Sequence, residues 1–288
     1  MFSFQFSAIG THWQIDIFQE LDSSLELALK NNVLERIEKF DKTYSRFRKD
    51  SWVVRYSIGP SQTSLPDDAY QLLEFYKKLY QLSHGQVTPL MGRTLEDAGY
   101  DSTYSLKPKD KITRPPSLFE ALSWNERDIE FKIPVLLDLG AAGKGYLVDI
   151  ICKLIESNGY SSYCVDAGGD IFYKGQEVIR VGLEHPDDST KAICIAFISN
   201  QSICGSSGNR RRWDRFHHTI DPFTLSSPEK IKAAWVISNS AMVADGLTTL
   251  LTLDPEQKAI KDFNFDYILM YKDNTVEKSA TFKGELFT

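Results

Sequence analysis

The segment from Asp138 to Asp149 constrains the fold more than any other, because its glycines fall where an apolar run gives way to a helical pattern. The apolar run 133–137 predicts a buried strand, and positions 142–158 predict a helix that stops at Gly159. Unpaired amides and a positive helix dipole at such a helix start favour an anion. Two interpretations stay open for this segment alone: a phosphate-binding loop, or a glycine-rich turn that only serves packing.

A second segment places a carboxylate in apolar surroundings. Polar residues after the apolar strand 234–237 can cap a helix over 241–252, in which Asp245 and Thr249 share a face. A buried aspartate is costly unless it is paired or binds a metal, and a carboxylate with a hydroxyl suits magnesium. In the alternative interpretation, Asp245 pairs with a buried Lys or Arg while Thr249 bonds back to the carbonyl of residue 245.

A third cluster lies between these two segments. A Ser-Ser-Gly turn over residues 206–208, at the end of an apolar strand, and the basic run Arg210 to Arg212 could bind phosphate, since arginine recognises phosphate bidentately. His218 could act as a general base, oriented by Asp221 or by a backbone group. A solvated basic loop followed by a turn-forming Asp-Pro pair remains the alternative interpretation.

These segments together resemble the FAD:protein FMN transferases of the ApbE family. Eight signatures of that family occur in order along the chain, as Ile9-Gly-Thr11, Ser45-Arg-Phe-Arg-Lys-Asp-Ser51, Val87-Thr-Pro89, Asp138 to Tyr146, Gly168-Gly-Asp170, Ser206-Ser-Gly208, His218 to Pro222, and Ala244 to Thr249. No single signature is specific, but the order is kept from residue 9 to residue 249, which argues against chance.

The resemblance implies a role for each matching position. It implies that magnesium is held by the side chains of Asp245 and Thr249 and by the main-chain carbonyl of Ala141. It implies His218 as the histidine of the transfer step. The contacts that it implies for FAD are Ile9, Ser57, Gln86, Val87, Thr88, Asp138, Lys144 and Thr219.

Several departures from the family pattern matter for the site. Ile9 stands in place of a methionine, Ser57 in place of a residue that is often Asn or Tyr, and Thr88 in place of an aspartate. Leu225 replaces the glycine that follows the Asp-Pro turn. By the resemblance, the first three positions would line the flavin pocket, whereas the side chains that match the metal ligands are kept.

The implied reaction is magnesium-dependent transfer of FMN from FAD to a threonine of an acceptor flavoprotein, with release of AMP. Positioning and electrostatics dominate transfers of this type, and a histidine with a pKa of about 6.5 is suited to take the hydroxyl proton. Two alternatives stay open: a magnesium-dependent FAD pyrophosphatase that forms FMN and AMP, and a non-catalytic flavin-binding protein.

The predicted fold is α+β, a single compact unit over residues 1–288 with a largely antiparallel sheet packed by helices. A chain of 288 residues with 42% apolar content can bury one large core or two small ones. Beyond the segments above, periodicity predicts a hairpin around Ile9-Gly10, irregular structure over 85–116, and further elements. The other predicted helices are a long one that carries the apolar positions from Leu29 to Tyr44 after candidate caps at Asp22 and Ser23, one over 67–83 and one near 254–263. The other predicted strands are 162–166, 171–174, 179–184, 191–198, 267–272 and 277–283.

Charge, cysteine spacing and the N-terminal sequence indicate which partners and which cellular location to expect. A net charge of −6 argues against a nucleic-acid surface, and the four cysteines show no C-x-x-C spacing. The first residues alternate like a strand and lack the features of a signal peptide, so we expect a cytoplasmic protein, or an exported one if a leader has been removed. No membrane span is expected, because the longest apolar stretch, 233–253, contains Asp245.

Overall fold

The computed structural model combines helices with antiparallel strands and describes residues 1–20, 22–208 and 211–287. The helices are α1 (Ser23–Tyr44), α2 (Trp52–Arg55), α3 (Ala69–Leu82), α4 (Gly92–Asp97), α5 (Leu118–Ala121), α6 (Gly143–Ser157), α7 (Ala241–Leu253) and a 3-10 helix (Pro255–Ala259). The strands are β1 (Phe2–Ala8), β2 (Thr11–Ile17), β3 (Ser61–Ser64), β4 (Leu122–Trp124), β5 (Asp128–Phe131), β6 (Tyr163–Ala167), β7 (Ile171–Lys174), β8 (Ile179–His185), β9 (Asp188–Ile198), β10 (Gln201–Ser207), β11 (Arg212–Trp213), β12 (Phe216–His217), β13 (Ile231–Ser238), β14 (Phe265–Tyr271), β15 (Val276–Lys278) and β16 (Gly284–Leu286).

The chain forms two compact units, each built from separate stretches of sequence. The first comprises Met1–Glu38, Gly143–Arg210 and Lys230–Thr288, and the second comprises Lys39–Ala142 and Arg211–Glu229. The predicted α+β class with a largely antiparallel sheet is confirmed. That the chain acts as one domain over residues 1–288 stays a prediction.

The first unit contains the large sheet, with strand order β1-β2-β6-β7-β10-β13-β14-β15. Neighbouring strands in this sheet pair antiparallel. A smaller sheet, β16-β9-β8, shares one buried cluster with it, to which Ile203 and Ile268 contribute from the large sheet and Ala196 from the small one. Burial alternates along β2 and β6, whereas most residues of β13 are buried, because the middle of the large sheet is covered on both faces.

The predicted hairpin at the start of the chain is confirmed. Ala8 pairs with Thr11, so the loop consists only of Ile9 and Gly10. Both residues have a positive φ, 44° and 75°. Two-residue hairpin loops require this left-handed backbone, which is unusual for a β-branched residue such as Ile9.

The two helices that were predicted from the glycine-rich and aspartate-bearing segments are confirmed as α6 and α7. Ser240 caps α7, because its hydroxyl accepts a hydrogen bond of 3.3 Å from the amide of Val243. α7 packs against α6 and against strands β10 and β13. Two helices and the centre of the large sheet are therefore in contact within the first unit.

The strand predicted over residues 133–137 is wrong. Residues 135–137 of this stretch are buried and Ile133 is exposed, and none of them belongs to a strand, since β5 ends at Phe131. Its carbonyl at Leu136 accepts a hydrogen bond from Gly92 (3.1 Å), and the amide of Asp138 donates one to Pro89 (2.8 Å). Pro134 provides no amide for a ladder, so the apolar run is buried by a neighbouring loop instead.

The second unit holds the small sheet β3-β5-β4, the hairpin β11-β12 and helices α2 to α5. A buried cluster joins α4 to the hairpin through Leu95, Trp213 and Phe216. The stretch 85–116, predicted to be irregular, contains the short helix α4. No helix in the described part of the chain combines the length and the hydropathy needed to cross a membrane.

Candidate active site

Asp245 lies on α7 with 8% of its surface exposed, as its apolar neighbours in sequence predict. Its Oδ2 accepts a hydrogen bond of 2.9 Å from the amide of Gly145, in the first turn of α6. Burial raises the pKa of the Asp245 carboxyl well above its usual range; the charge of Asp170 adds to this rise and that of Lys144 opposes it.

Gly145 brings α6 and α7 into close contact. A Cβ atom at this position would lie 2.1 Å from the Ala241 carbonyl oxygen and 2.7 Å from Cβ of Asp245. Only glycine allows this approach, so Gly145 serves the packing of the two helices. The glycine-rich segment thus has a packing function at this position, which was one of the two interpretations of the sequence.

Threonines follow Asp245 on α7. Thr248 donates a hydrogen bond of 2.7 Å from its hydroxyl to the carbonyl of Asp245. This is the back-bond that the alternative interpretation of the sequence assigned to Thr249. Thr249 itself is half-buried and lies four residues after Asp245 in the same helix.

Lys144 forms an ion pair with Asp170 at 2.9 Å between Nζ and Oδ2. The Asp170 side chain is 1% exposed, whereas that of Lys144 is 30% exposed. Burial acts to lower the pKa of Lys144, but the charges of Asp170 and Asp245 outweigh burial and raise the pKa above its usual value. A lysine whose charge acts on Asp245 is therefore present, as in the alternative interpretation, but it is partly exposed and its ion pair is with Asp170.

Sequence reasoning gave Asp170 no role in the site. The signal was present in the Gly168-Gly-Asp170 signature, whose two glycines both have a positive φ, 68° and 99°. These glycines form the turn between β6 and β7 and bring the carboxylate to the interior. There Oδ1 of Asp170 also accepts a hydrogen bond of 3.4 Å from the amide of Gly205 on β10.

Sequence reasoning also gave no role to Asp149 on α6. Its carboxylate accepts hydrogen bonds from the hydroxyl of Ser240 (2.6 Å) and from the amides of Ala241 (2.8 Å) and Met242 (3.0 Å). Burial raises the pKa of Asp149 despite these bonds. The start of α7 is thus already occupied by a carboxylate of the same unit, which satisfies the free amides of that helix end.

The donor set of the first unit fits a divalent cation. Asp170 and Asp245 carry two carboxylates, and Lys144 is the ammonium that interacts with both, which leaves one surplus negative charge when all three are ionised. Among the described residues, no three His, Cys, Asp or Glu side chains form a metal cluster. A cation here would therefore depend on hydroxyl, main-chain or phosphate oxygens, as magnesium commonly does.

In the second unit, Asp138 belongs to a buried ion pair. Its Oδ2 accepts a hydrogen bond from Nε of Arg46, and its Oδ1 accepts one of 2.9 Å from the amide of Gly140. Arg46, 4% exposed, also donates to the carbonyl of Tyr100 at 2.6 Å and lies 4.2 Å from the ring centre of Phe47. The sequence did not identify this partner, since Arg46 stands at the variable position of its signature.

The other positions that the resemblance implies for FAD in the second unit are mostly buried. Ser57, Val87, Thr88 and Thr219 expose 8% of their surface or less, and Gln86 is half-buried. The hydroxyl of Ser57 donates to the carbonyl of Val54 (2.8 Å), and that of Thr88 accepts from the amide of Leu90 (3.3 Å). These hydroxyls stabilise the local backbone.

Asp221 holds the turn that follows the two histidines. Its Oδ1 accepts hydrogen bonds from the amides of Phe223 (2.7 Å) and Thr224 (2.9 Å), and its Oδ2 accepts one from the side chain of Gln86 (3.0 Å). Leu225, in the same turn, has a φ of 55°. This left-handed backbone explains why the family pattern has glycine there.

His217 and His218 differ in their surroundings. Nε2 of His217 lies 3.0 Å from the Pro228 carbonyl, and its Nδ1 accepts a hydrogen bond of 3.2 Å from the Thr219 amide. Burial lowers the pKa of His217, in accord with a neutral ring that holds the turn. His218, predicted as the base, is half-buried, and its amide donates to the carbonyl of Arg211 at 3.2 Å.

The predicted phosphate-binding cluster is only partly described. A turn follows the end of β10 at Gly208, as predicted, but Ser206 and Ser207 still belong to the strand, where they pair with Ala234 and Ala233. Arg210 lies outside the described residues. Arg211 donates to the hydroxyl of Tyr100 at 3.0 Å, and Arg212 is exposed at the start of β11.

The predicted site residues divide between the two units. The first unit holds Ile9, Lys144, Asp245 and Thr249, and it brings Lys144 and Asp245 together around Asp170. Ile9 lies at the tip of the first hairpin. The second unit holds the rest, namely Ser57, Gln86, Val87, Thr88, Asp138, Ala141, His218 and Thr219.

Known proteins resemble this chain along most of its length. The sequence model of the ApbE family matches residues 9–266. An FAD:protein FMN transferase of Salmonella typhimurium is 32% identical over 273 residues, which cover 87% of this chain and 78% of the relative. Another of that name, from Klebsiella pneumoniae, is 24% identical over 295 residues and covers 92% and 83%.

Solved structures show the same fold. The ApbE protein of Thermotoga maritima superposes with a TM-score of 0.84 at 20% identity, over 97% of both chains. The flavin transferase ApbE of Vibrio cholerae superposes with a TM-score of 0.78 at 21% identity, over 96% of both chains.

Proposed function

Because this chain belongs to the ApbE family, we propose that it is an FAD:protein FMN transferase, which moves FMN from FAD to a threonine of an acceptor flavoprotein and releases AMP. Relatives of that name cover most of its length. The proposal includes a threonine as the acceptor residue and a requirement for magnesium.

The strongest structural support for the proposal is a group of three charged side chains in the first unit. A buried carboxylate, Asp245, is packed against the glycine at the start of α6, beside the Lys144–Asp170 ion pair. This arrangement combines surplus negative charge with a partly exposed ammonium. A cation and a phosphate-bearing substrate are the ligands that such a pair of charges suits.

Magnesium is proposed to bind the side chains of Asp245 and Thr249, with the carbonyl of Ala141 as a further ligand. When bound, it would neutralise charge on the phosphates of FAD and act as a Lewis acid. Lys144 is proposed to bind a phosphate oxygen of FAD. The flavin contacts proposed at Ile9, Ser57, Gln86, Val87, Thr88, Asp138 and Thr219 rest on the family resemblance.

The transfer step balances without any further reagent. The threonine Oγ forms a bond to the phosphorus on the FMN side of FAD, while the bond from that phosphorus to the bridging oxygen breaks. AMP leaves with the bridging oxygen. We assign the hydroxyl proton to His218, since His217 is engaged with the backbone on both ring nitrogens.

The proposal is tested with the purified chain, FAD and Mg²⁺, with either an acceptor flavoprotein or its Thr→Val variant. We expect AMP together with an acceptor that gains the mass of FMN less one water, and no gain for the variant. AMP formed at the same rate without acceptor would instead indicate a pyrophosphatase. FAD binding without AMP would indicate a flavin-binding protein.

A further inference from the structure

We propose that Asp170 is a charge-balancing residue for magnesium binding: by pairing with Lys144, it keeps the surplus negative charge that Asp245 needs to bind the cation. The inference rests on the proposed function, since it concerns the metal of that reaction. It assigns a role to a residue that lies on a different element from every proposed metal ligand.

The geometry places Asp170 in direct contact with Lys144 at 2.9 Å. Asp170 is fully buried at the Gly-Gly turn, and its other oxygen faces the amide of Gly205. Its position is therefore fixed by the backbone. Lys144 belongs to the first turn of α6, next to Gly145, whose amide binds Asp245.

The charges of these groups act on one another. Lys144 touches the Asp170 carboxylate, and the next residue along α6, Gly145, binds the Asp245 carboxylate through its amide. An ammonium on the residue next to Gly145, whose amide binds the ligand Asp245, repels a divalent cation. Asp170 cancels that ammonium, so the charge of Asp245 stays available to the metal.

Two single variants and their combination test whether the net charge of Asp170, Lys144 and Asp245 sets the affinity for Mg²⁺. Asp170→Asn removes the surplus negative charge and should weaken Mg²⁺ binding by about 10- to 100-fold, the usual range for residues just outside the ligand set. Lys144→Met removes the positive charge and should not weaken binding. The double variant restores the parent charge and should recover the parent affinity.

The measurement is Mg²⁺ affinity without FAD, by calorimetric titration and by the shift in the thermal unfolding midpoint. Asp166→Asn is the matched control, because Asp166 lies in the same turn and accepts an amide hydrogen bond from Gly169 at 2.8 Å. It loses the same charge without touching Lys144, so its affinity should match that of the parent.

A merely structural ion pair predicts a different pattern. Both single variants would then weaken binding, and the double variant would bind no better than Asp170→Asn; either result overturns the proposal. Parent affinity in Asp170→Asn does the same. If Asp170→Asn does not fold, the Mg²⁺ affinity of Lys144→Met is the test. Weaker Mg²⁺ binding by that variant contradicts the proposal, because it has lost a positive charge.

Failure of the inference differs from failure of the proposed function. A parent that binds Mg²⁺ with this pattern yet loads no FMN onto an acceptor refutes the transferase proposal and keeps the role of Asp170. A parent that transfers FMN, with Asp170→Asn binding Mg²⁺ equally well, refutes only the inference. A parent with no Mg²⁺ response, with or without FAD, overturns both the metal assignment and this inference.

Discussion

The amide of Gly145 donates a hydrogen bond of 2.9 Å to Oδ2 of Asp245, although the two residues lie 100 positions apart in the sequence. The same glycine allows the carbonyl of Ala241 to approach α6. The packing of α6 against α7 and the position of the Asp245 carboxylate thus depend on one residue without a side chain. Each can be changed separately by substitution at Asp245 or at Gly145.

Asp245→Asn should abolish the Mg²⁺-dependent rise in the unfolding midpoint and FMN transfer with it. Asparagine keeps an oxygen for the Gly145 amide but lacks the charge that a magnesium site requires. Its fold should therefore survive, as circular dichroism would show. Full transfer by this variant in the presence of a chelator would contradict the metal assignment.

Gly145→Ala should destabilise the protein by about 1–3 kcal/mol, because the new methyl group would overlap the Ala241 carbonyl. The measurement is the free energy of unfolding in denaturant. Gly182→Ala is the matched control, since no atom lies within 4 Å of a Cβ at that position in β8. Equal stability of the two variants would show that α6 and α7 can separate without cost.

His218→Ala should bind FAD like the parent but transfer FMN roughly 10²- to 10⁴-fold more slowly, as expected for loss of a general base. His217→Ala should keep the chemical step and unfold at a lower temperature, since its ring holds the Thr219 amide. Single-turnover transfer and flavin fluorescence separate the two effects. Loss of FAD affinity in His218→Ala would make this residue a ligand contact instead of a base.

The stability of the protein should fall as pH drops below about 6.5, in part because of His217. Burial lowers its folded-state pKa below the unfolded value, so the unfolded state takes up the proton first and gains stability as pH falls. His217→Asn removes this contribution. The difference in unfolding free energy between the parent and this variant should therefore shrink between about pH 7.5 and about pH 5.5; a constant difference would contradict it.

The free energy of unfolding should be higher for Leu225→Gly than for Leu225→Ala by roughly 0.5–1 kcal/mol. At most positions alanine is instead the more stabilising of the two residues. Both variants lose the same leucine contacts, so the comparison isolates the backbone, whose φ is 55°. Alanine keeps the strain of a left-handed residue and glycine removes it. Thermal unfolding of the two variants provides the measurement, and a more stable alanine variant would refute the backbone argument.

Periodic patterns in the sequence predicted the regular elements well. Helices α1, α3, α6 and α7 and the first hairpin follow from apolar spacing and capping residues, which act over a few positions. The apolar run after Phe131 was misjudged as a strand because hydropathy reports burial and carries no information on hydrogen-bond partners. The Pro134 ring and the contact with residues 89–92 decide that region.

The partners in the candidate site could not be predicted from the sequence for a related reason. Asp245 was recognised as a buried carboxylate, but Asp170 lies 75 positions earlier and Asp149 nearly 100 earlier, on elements that only the fold brings to it. A signature identifies a residue without identifying its partner. Spacing within one helix is visible in the sequence, whereas pairing across a sheet is not.

The long sequence separation between α6 and α7 also affects when their contact forms during folding. The contact between Gly145 and Asp245 closes a loop that contains the strands from β6 to β13. Such non-local contacts form late, since the entropy of closing a long loop must be met by structure that has already formed. A cation that binds Asp245 should therefore act after the rate-limiting step of folding, slowing the unfolding rate while leaving the folding rate unchanged.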